Sequence, residues 1–447
     1  MFSTSEIAEV TGGKLIGENV EVSGVSTDTR TIERGDLFIA IRGESFNGND
    51  FVAAAAEKGA AAALCDGDVT ADIPVIYTGD SRTAQLVLAR YYRGKFPVKL
   101  CGVTGSVGKT STKDMVYAVL SAKYNTLKTE GNFNNDIGLP RTLFGLNESH
   151  GAAVIEMGMS ARGEISQLSR TARPDAAIIT NIGYCHIENL KTRENILRAK
   201  LEILDGMTEG APLIINGDDE YLGTLSGDRL GRRLIRYGMG ADCDVTAGNI
   251  VHTSDGERFE LVAEGKRYAA ELNVVGEHHI MNALAAFCAG REFGMEAEEI
   301  IPAFLNYEAS GMRQRIERRG DITVILDCYN ASPTSMRSAL SVLGSIKSKR
   351  KIAVLGDMLE LGDMSGQLHK MIADYIRLHA DACFLYGREM TACRDALTGS
   401  GVEVFHSEDK ESLTNQLNEY LAEGDAVLFK GSRGMKMEEI AEKVQRF

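Results

Sequence analysis

The chain lacks most of the features that would place it outside a cell or in a membrane. None of its eight cysteines forms a C-x-x-C pair. With neither a zinc-ligand spacing nor a disulfide framework, reduced thiols in a cytoplasmic setting are expected. Residues 1–13 are polar and acidic, without a basic start followed by an apolar stretch, so no secretory leader is expected. No apolar run nears the roughly 18 residues that a membrane helix needs. Positive charge is also short, since 49 basic against 63 acidic side chains leave a net charge of −14. Nucleic acids and anionic membranes require a positive field, so neither is an expected partner, and any phosphate ligand must be held locally. Repeats and low-complexity stretches are missing too.

What remains is an ordinary soluble composition, 44% apolar and 25% charged over 447 residues. At about 150 residues per domain, that length predicts three α/β domains, placed at 1–95, 96–310 and 311–447. In the first, residues 36–41 read as a strand and the alanine-rich 51–59 as a helix. Proline in the segment 95–97 marks the boundary. Beyond it, short apolar runs at 98–104, 152–156, 176–181 and 212–216 alternate with helical patterns at 113–120 and 193–204. Such strands predict a mostly parallel sheet covered on both faces. The third domain repeats the pattern with strands at 322–326, 352–355, 383–386 and 426–429. It reads as a Rossmann-like, doubly wound sheet, with ligands beyond the carboxyl ends of the strands. Asp327, Asp357 and Lys430 stand at those ends.

The sharpest local signal is Gly102-Val-Thr-Gly-Ser-Val-Gly-Lys-Thr-Ser111, between an apolar strand and an amphipathic helix. A loop of this kind aims backbone N–H groups and a helix N-terminus at phosphate oxygens. Lys109 adds charge for the terminal phosphates, and Thr110 offers an oxygen to Mg²⁺. The glycines stand at 102, 105 and 108, whereas the strict spacing would put one at Val103. This predicts a central domain of the P-loop ATPase kind.

Three further residues carry weight. Glu156 closes a strand of the same sheet and presents a carboxylate, an oxygen donor suited to Mg²⁺. His186 follows another strand by a short loop. Lys200 is flanked at helical spacing by Ile196, Leu197, Ile203 and Leu204, which places it on an apolar stripe. Burial there would lower its pKa, and a neutral amine can add CO₂ to become a carbamate, a metal-binding carboxylate. A lysine snorkelling from the helix edge fits the same spacing.

Taken in order, these pieces resemble the Mur ligases, the ATP-dependent amide-forming enzymes of peptidoglycan precursor synthesis. The resemblance runs through Thr104-Gly-Ser-Val-Gly-Lys-Thr110, Gly131-Asn-Phe-Asn-Asn-Asp-Ile-Gly138, Glu156-Met-Gly158, Thr180-Asn-Ile-Gly-Tyr-Cys-His186 and Ala199-Lys200. It continues through residues 276–286, Gly311-Met-Arg313, Asp327-Cys-Tyr-Asn-Ala-Ser-Pro333, Gly356-Asp-Met-Leu-Glu-Leu-Gly362 and Lys430-Gly-Ser-Arg-Gly434. It implies ATP held by Thr104, Gly105, Ser106, Val107, Gly108, Lys109, Thr110 and Ser111, with Asn282, Arg313 and Asp327 around the rest of the nucleotide. Thr110, Glu156, His186 and a carbamylated Lys200 would hold Mg²⁺. Lys109, Lys200, His186 and Glu156 would be the catalytic group.

For the substrates, the resemblance implies UDP-MurNAc-tripeptide and D-alanyl-D-alanine. The uridine nucleotide would meet Ser26, Thr27, Asp28, Arg30, Phe46 and Asn47, with Asn132, Asn134 and Asn135 further along. Asn330, Asp357, Lys430 and Arg433 would meet the dipeptide. The chain carries His279 where family members commonly carry asparagine. A cytoplasmic monomer, without nucleic-acid or membrane partners, is expected. Asn330, where the ligase adding the third amino acid would carry histidine, counts against that rival. The N-terminal uridine segment counts against folylpolyglutamate synthase. A nucleotide-driven switch stays open, and would turn over ATP without an amine acceptor.

Overall fold

The structure, a computed structural model, describes residues 1–43, 45–253 and 255–444. Its strands gather into three principal sheets that follow one another along the chain. The first has five strands in the order Lys14–Ile16, Val75–Tyr77, Ala62–Cys65, Asp36–Ile39 and Gly24–Ser26. The strand predicted over 36–41 ends at Ile39, although Ala40 and Ile41 remain buried. The predicted helix spans Val52–Glu57, after a 3₁₀ turn, Gly48–Phe51, capped by the Asn47 side chain. The helix Ser81–Arg93 starts where Asp80 accepts hydrogen bonds from the Arg82 and Thr83 N–H groups. It ties this unit to the next, because Tyr92 donates to Leu146 O and Arg93 to Ala172 O and Val98 O.

The central sheet has nine strands. Its buried middle is Ala176–Ile179, Lys99–Thr104 and Ala152–Glu156, paired in parallel. Apolar side chains on both strand faces require cover on both sides, and helices Lys109–Ser121 and Glu277–Glu292 pack on one of them. The far edge differs from expectation. Val245–His252 joins the sheet in parallel, and Glu257–Ala263 and Lys266–Leu272 extend it by antiparallel pairing that the chain pattern had not suggested. The Glu257–Ala263 strand alternates buried and less buried residues, as befits a sheet with one wet face.

The third sheet has six strands, running Arg315–Arg319, Ile322–Asp327, Ala426–Lys430, Lys351–Gly356, Ala382–Tyr386 and Glu403–Ser407. All pairs are parallel except the first. Helices Pro333–Ser345 and Ser365–His379 cover one face and Lys410–Tyr420 the other, a doubly wound arrangement. The insertion of Ala426–Lys430 between two earlier strands brings Asp327, Lys430 and Gly356 to adjacent strand ends. The eight cysteines are free thiols. Among the described residues, no helix is long and apolar enough to cross a membrane.

Candidate active site

The position of the glycine loop follows from strand order. Lys99–Thr104 lies between strands ending at Glu156 and Ile179, so the chain leaving Thr104 emerges with Glu156 on one side and Thr180-Asn181 on the other. Those neighbours shape it. Thr180 Oγ1 and Asn181 Nδ2 donate to Val107 O at 2.6 and 2.9 Å, while Val107 N donates to Asn181 Oδ1 at 3.0 Å. Gly183 N donates to Ser106 Oγ at 2.9 Å, and Thr104 Oγ1 donates to Met157 O at 2.8 Å. Gly105 has φ +145° and any Cβ there would collide with Thr180 Oγ1, so position 105 admits only glycine. Gly108, at φ +83°, turns the chain into the helix that begins at Lys109. The Lys109 ammonium rests on the loop, donating to Gly105 O and Ser106 O at 3.0 and 3.3 Å.

Thr110 and Glu156 meet at the loop's base, the threonine hydroxyl donating to Glu156 Oε2 at 2.7 Å. Asn134 Nδ2 donates to Glu156 Oε1 at 2.8 Å. The Asn134 carboxamide, expected at the substrate, thus orients the carboxylate. Asn135 is also engaged within the chain, accepting from Gly138 N at 2.9 Å where the helix Gly138–Leu143 begins. Asn132 lies exposed in the same loop.

The helix carrying Lys200 is Arg193–Leu201, and the longer span predicted to 204 finishes as a 3₁₀ turn, Glu202–Asp205. Lys200 is buried rather than snorkelling. Burial drives its pKa well below the ordinary value, and the Lys109 charge pushes the same way against weaker pulls from Cys185 and Glu156. No described residue gives the amine a hydrogen bond or ion pair. His186 sits in left-handed backbone at φ 60° and its Nδ1 lies 2.7 Å from Glu360 Oε2 of the third unit. Burial lowers the His186 pKa, with Glu360 opposing the shift. Among the described residues, no three His, Cys, Asp or Glu side chains gather as a metal cage. The predicted metal set therefore relies on Thr110 and Lys200 for two of its four members.

Across the loop, Asn282 accepts from Thr112 Oγ1 at 2.8 Å, leaving its buried Nδ2 without a partner. His279 Nδ1 is likewise buried and unpartnered. The His279 ring lies 4.2 Å from that of His278 and 5.4 Å from that of Tyr307. Arg313 stacks 4.1 Å over the Tyr329 ring. Lys430 donates to Asp327 at 2.5 Å and to Asn330 O at 3.0 Å. Asp357 is buried against Met390 N, and burial raises its pKa. Arg433 pairs with Glu438 at 2.7 Å. The third unit approaches the segment beside the loop, where Thr334 lies close to Gly183, whose N–H donates to Ser106 Oγ.

In the first unit, Ser26 Oγ donates to Asp28 O, closing a turn that carries Thr27. Arg30 grips Asp28 at 2.7 Å and holds its carboxyl down to about 2, with Arg141 of the central unit assisting. Phe46 is exposed beside Asn47, whose side chain accepts from Asn49 N. Glu44, between them and the strand, lies outside the described residues. Residue-by-residue reading missed Arg141, Tyr307, Tyr329 and Glu360. Tyr329 and Glu360 had a signal, since they stand inside the 327–333 and 356–362 motifs.

A phosphate loop in a parallel sheet, with flanking α/β units before and after it in the chain, defines a three-part P-loop α/β protein. Three family models match in order: the Mur ligase family catalytic domain over 21–99, the Mur ligase middle domain over 103–290 and the Mur ligase glutamate ligase domain over 313–433. The chain is 40% identical to the UDP-N-acetylmuramoyl-tripeptide--D-alanyl-D-alanine ligase of Bacillus subtilis (strain 168), over 98% of this chain and 97% of that one. It is 34% identical to the ligase of the same name from Escherichia coli (strain K12), over 99% and 98%. A crystal structure of MurF from Acinetobacter baumannii superposes with a TM-score of 0.92, at 30% identity over 99% of this chain and 98% of that one. MurF of Thermotoga maritima in complex with ADP superposes with a TM-score of 0.85, at 26% identity over 95% and 97%. The chain belongs to the Mur ligase family.

Proposed function

We propose that the chain joins D-alanyl-D-alanine to UDP-MurNAc-tripeptide, converting ATP to ADP and phosphate. The observation that carries the reading is the junction of Thr110, Asn134 and Glu156 at the base of the loop, in the same site as a buried lysine that has no partner. The full-length relatives that bear this activity in their names support it.

A carboxylate is a poor electrophile, so the tripeptide carboxylate first takes the γ-phosphoryl group of ATP and becomes an acyl phosphate. Transfer of this kind depends on positioning and charge neutralisation. Loop N–H groups between Gly105 and Ser111 and the Lys109 ammonium supply both. The dipeptide amine then attacks the acyl carbon, and phosphate departs. Contact of the third unit with the segment beside the loop, where Glu360 meets His186, supports exclusion of water while the acyl phosphate exists.

The residues present fit the nucleotide and the metal. Asn282 Nδ2 and His279 Nδ1 are buried and unpartnered, and adenine offers ring-nitrogen acceptors and an amino donor to groups so placed. The ADP held by the Thermotoga relative supports the same reading. Thr110 and Glu156 supply oxygen donors for Mg²⁺, with His186 and Lys200 completing the set. Magnesium, when bound, neutralises charge on the phosphate oxygens. Burial lowers the Lys200 pKa and so favours the neutral amine, the form that adds CO₂. The units at 1–95, 96–310 and 311–447 take the roles of uridine-nucleotide binding, ATP binding and dipeptide binding. Ser26, Thr27, Asp28, Arg30, Phe46 and Asn47 face the first of these, and Asn330, Asp357, Lys430 and Arg433 the last. The enzyme works as a cytoplasmic monomer.

Phosphate release with Mg-ATP, UDP-MurNAc-tripeptide and D-alanyl-D-alanine, each omitted in turn, tests the reading. Release is expected only when all three are present, together with a pentapeptide product. Release indifferent to the dipeptide would instead mark an ATPase or switch.

A further inference from the structure

Two loops from different units meet beside the phosphate loop. One, from the central sheet, carries His186; the other, from the third sheet, carries Glu360. Both residues have left-handed backbone, at φ 60° and 62°, a conformation that side chains other than glycine adopt only when the surroundings hold them there. The loops are joined twice: His186 Nδ1 lies 2.7 Å from Glu360 Oε2, and Glu188 N donates to Glu360 O at 3.2 Å. Gly362, at φ +51°, faces Glu188 with room for no more than an ordinary side-chain contact, so the approach is close over several residues. A carboxylate on Nδ1 fixes the tautomer with the proton on that nitrogen. The lone pair is then on Nε2, and the ring cannot turn without breaking the bond. Histidine ligands of metals are commonly oriented in this way, by a carboxylate on the nitrogen that does not bind the metal.

We propose that Glu360 is a positioning residue that orients His186 toward the divalent cation, so that the third unit completes the metal site when it docks. The proposal rests on the reading of His186 as a metal ligand. Glu360 touches no reacting atom; it acts through the imidazole. Docking of the third unit and readiness of the metal site thereby become one event, which keeps ATP from being spent while the site is open to water.

The test is Mn²⁺ binding to the full chain with ADP present, followed by electron paramagnetic resonance, alongside kcat and KM for Mg-ATP. Glu360 is largely exposed, so its replacement leaves the fold intact. Glu360→Ala is expected to weaken Mn²⁺ binding by about ten- to a hundredfold, the usual cost of removing such a partner. Glu360→Gln keeps an oxygen that accepts from Nδ1–H and is expected to recover most of that loss. His186→Ala serves as the control. Should His186→Ala lose Mn²⁺ affinity while Glu360→Ala keeps it, the positioning role is wrong and the ligand reading stands. Unchanged affinity in His186→Ala overturns both. A loss in Glu360→Ala that Glu360→Gln does not relieve also overturns the proposal, since orientation would then not be what Glu360 supplies.

Discussion

Lys200 and Lys430 are equally hidden, each 1% exposed, yet they live in opposite surroundings. Lys430 closes a strand of the third sheet with its ammonium on Asp327 and Asn330 O. Lys200 stands in a helix of the central unit, with Lys109 nearby and no hydrogen bond or ion pair from any described residue. A buried charge with a partner can persist as a structural element; burial of an amine without one favours its neutral form. Burial alone therefore does not mark a lysine as chemical. The missing partner does, because a neutral amine is a nucleophile and an ammonium is not.

The comparison can be broken most directly at Lys200. Lys200→Met should lower kcat/KM at least about a thousandfold, near 4 kcal/mol of barrier. Its stability in urea should be unchanged or higher, because an unpaired polar group is replaced by an apolar chain of similar length. Partial rescue of Lys200→Ala by small carboxylic acids, but not by bicarbonate, would sharpen the assignment to a carbamate. Full activity in the methionine variant would return Lys200 to a purely structural role.

Lys430→Met should differ in its effect on stability, apart from any loss of dipeptide binding. It strands Asp327 in a partly buried position and is expected to cost about 3 kcal/mol of stability, read from the urea midpoint. Adding Asp327→Asn should restore roughly 1–2 kcal/mol of that loss, since the two residues are directly coupled. Strict additivity of the two changes would show that the pair contributes nothing.

The smallest effect uses another buried group with partners. His369 accepts from Met358 N on Nε2 at 2.9 Å and meets Ser365 O through Nδ1 at 2.8 Å. Burial lowers its pKa, against pulls from the Ser365 carbonyl, Asp357 and Glu389. The folded state thus binds fewer protons than the unfolded one, and stability falls as pH drops below the unfolded value of about 6.5. Asp357, whose pKa burial raises, contributes with the opposite sign at lower pH. Denaturation midpoints between pH 5 and 8 should slope in the parent chain and slope less steeply in His369→Gln, the remainder coming from other buried histidines such as His186. An equal slope in both would assign the effect to another group.

Much of this architecture was legible before any coordinates. The strands at 152–156 and 322–326, the glycine loop and the position of Lys200 on an apolar stripe are all local patterns, set by periodicities of two and 3.6 residues or by glycine geometry. The antiparallel edge at residues 245–272 was not, although its alternating burial is clear once seen. Its strands carry charged residues such as Arg258, Glu260 and Arg267 on the wet face, and these dilute the apolar signal. At the site, residue types were legible and partnerships were not. Asn134 was expected only at the substrate, and the fold alone brings its amide to 2.8 Å from Glu156.

The sequence by itself determined the parallel core of the central and third sheets, the loop able to hold phosphates and the place of Lys200 on an apolar stripe. Those features depend on neighbours within a few residues. Tertiary structure alone decided that Thr110 meets Glu156 across 46 positions of chain, that Lys430 has Asp327 for a partner across 103 and that Glu360 reaches His186 from another sheet. Contacts between distant segments depend on strand order and packing, which no local pattern records. The difference between a charge that is balanced and an amine that is left alone was therefore settled only when the chain folded.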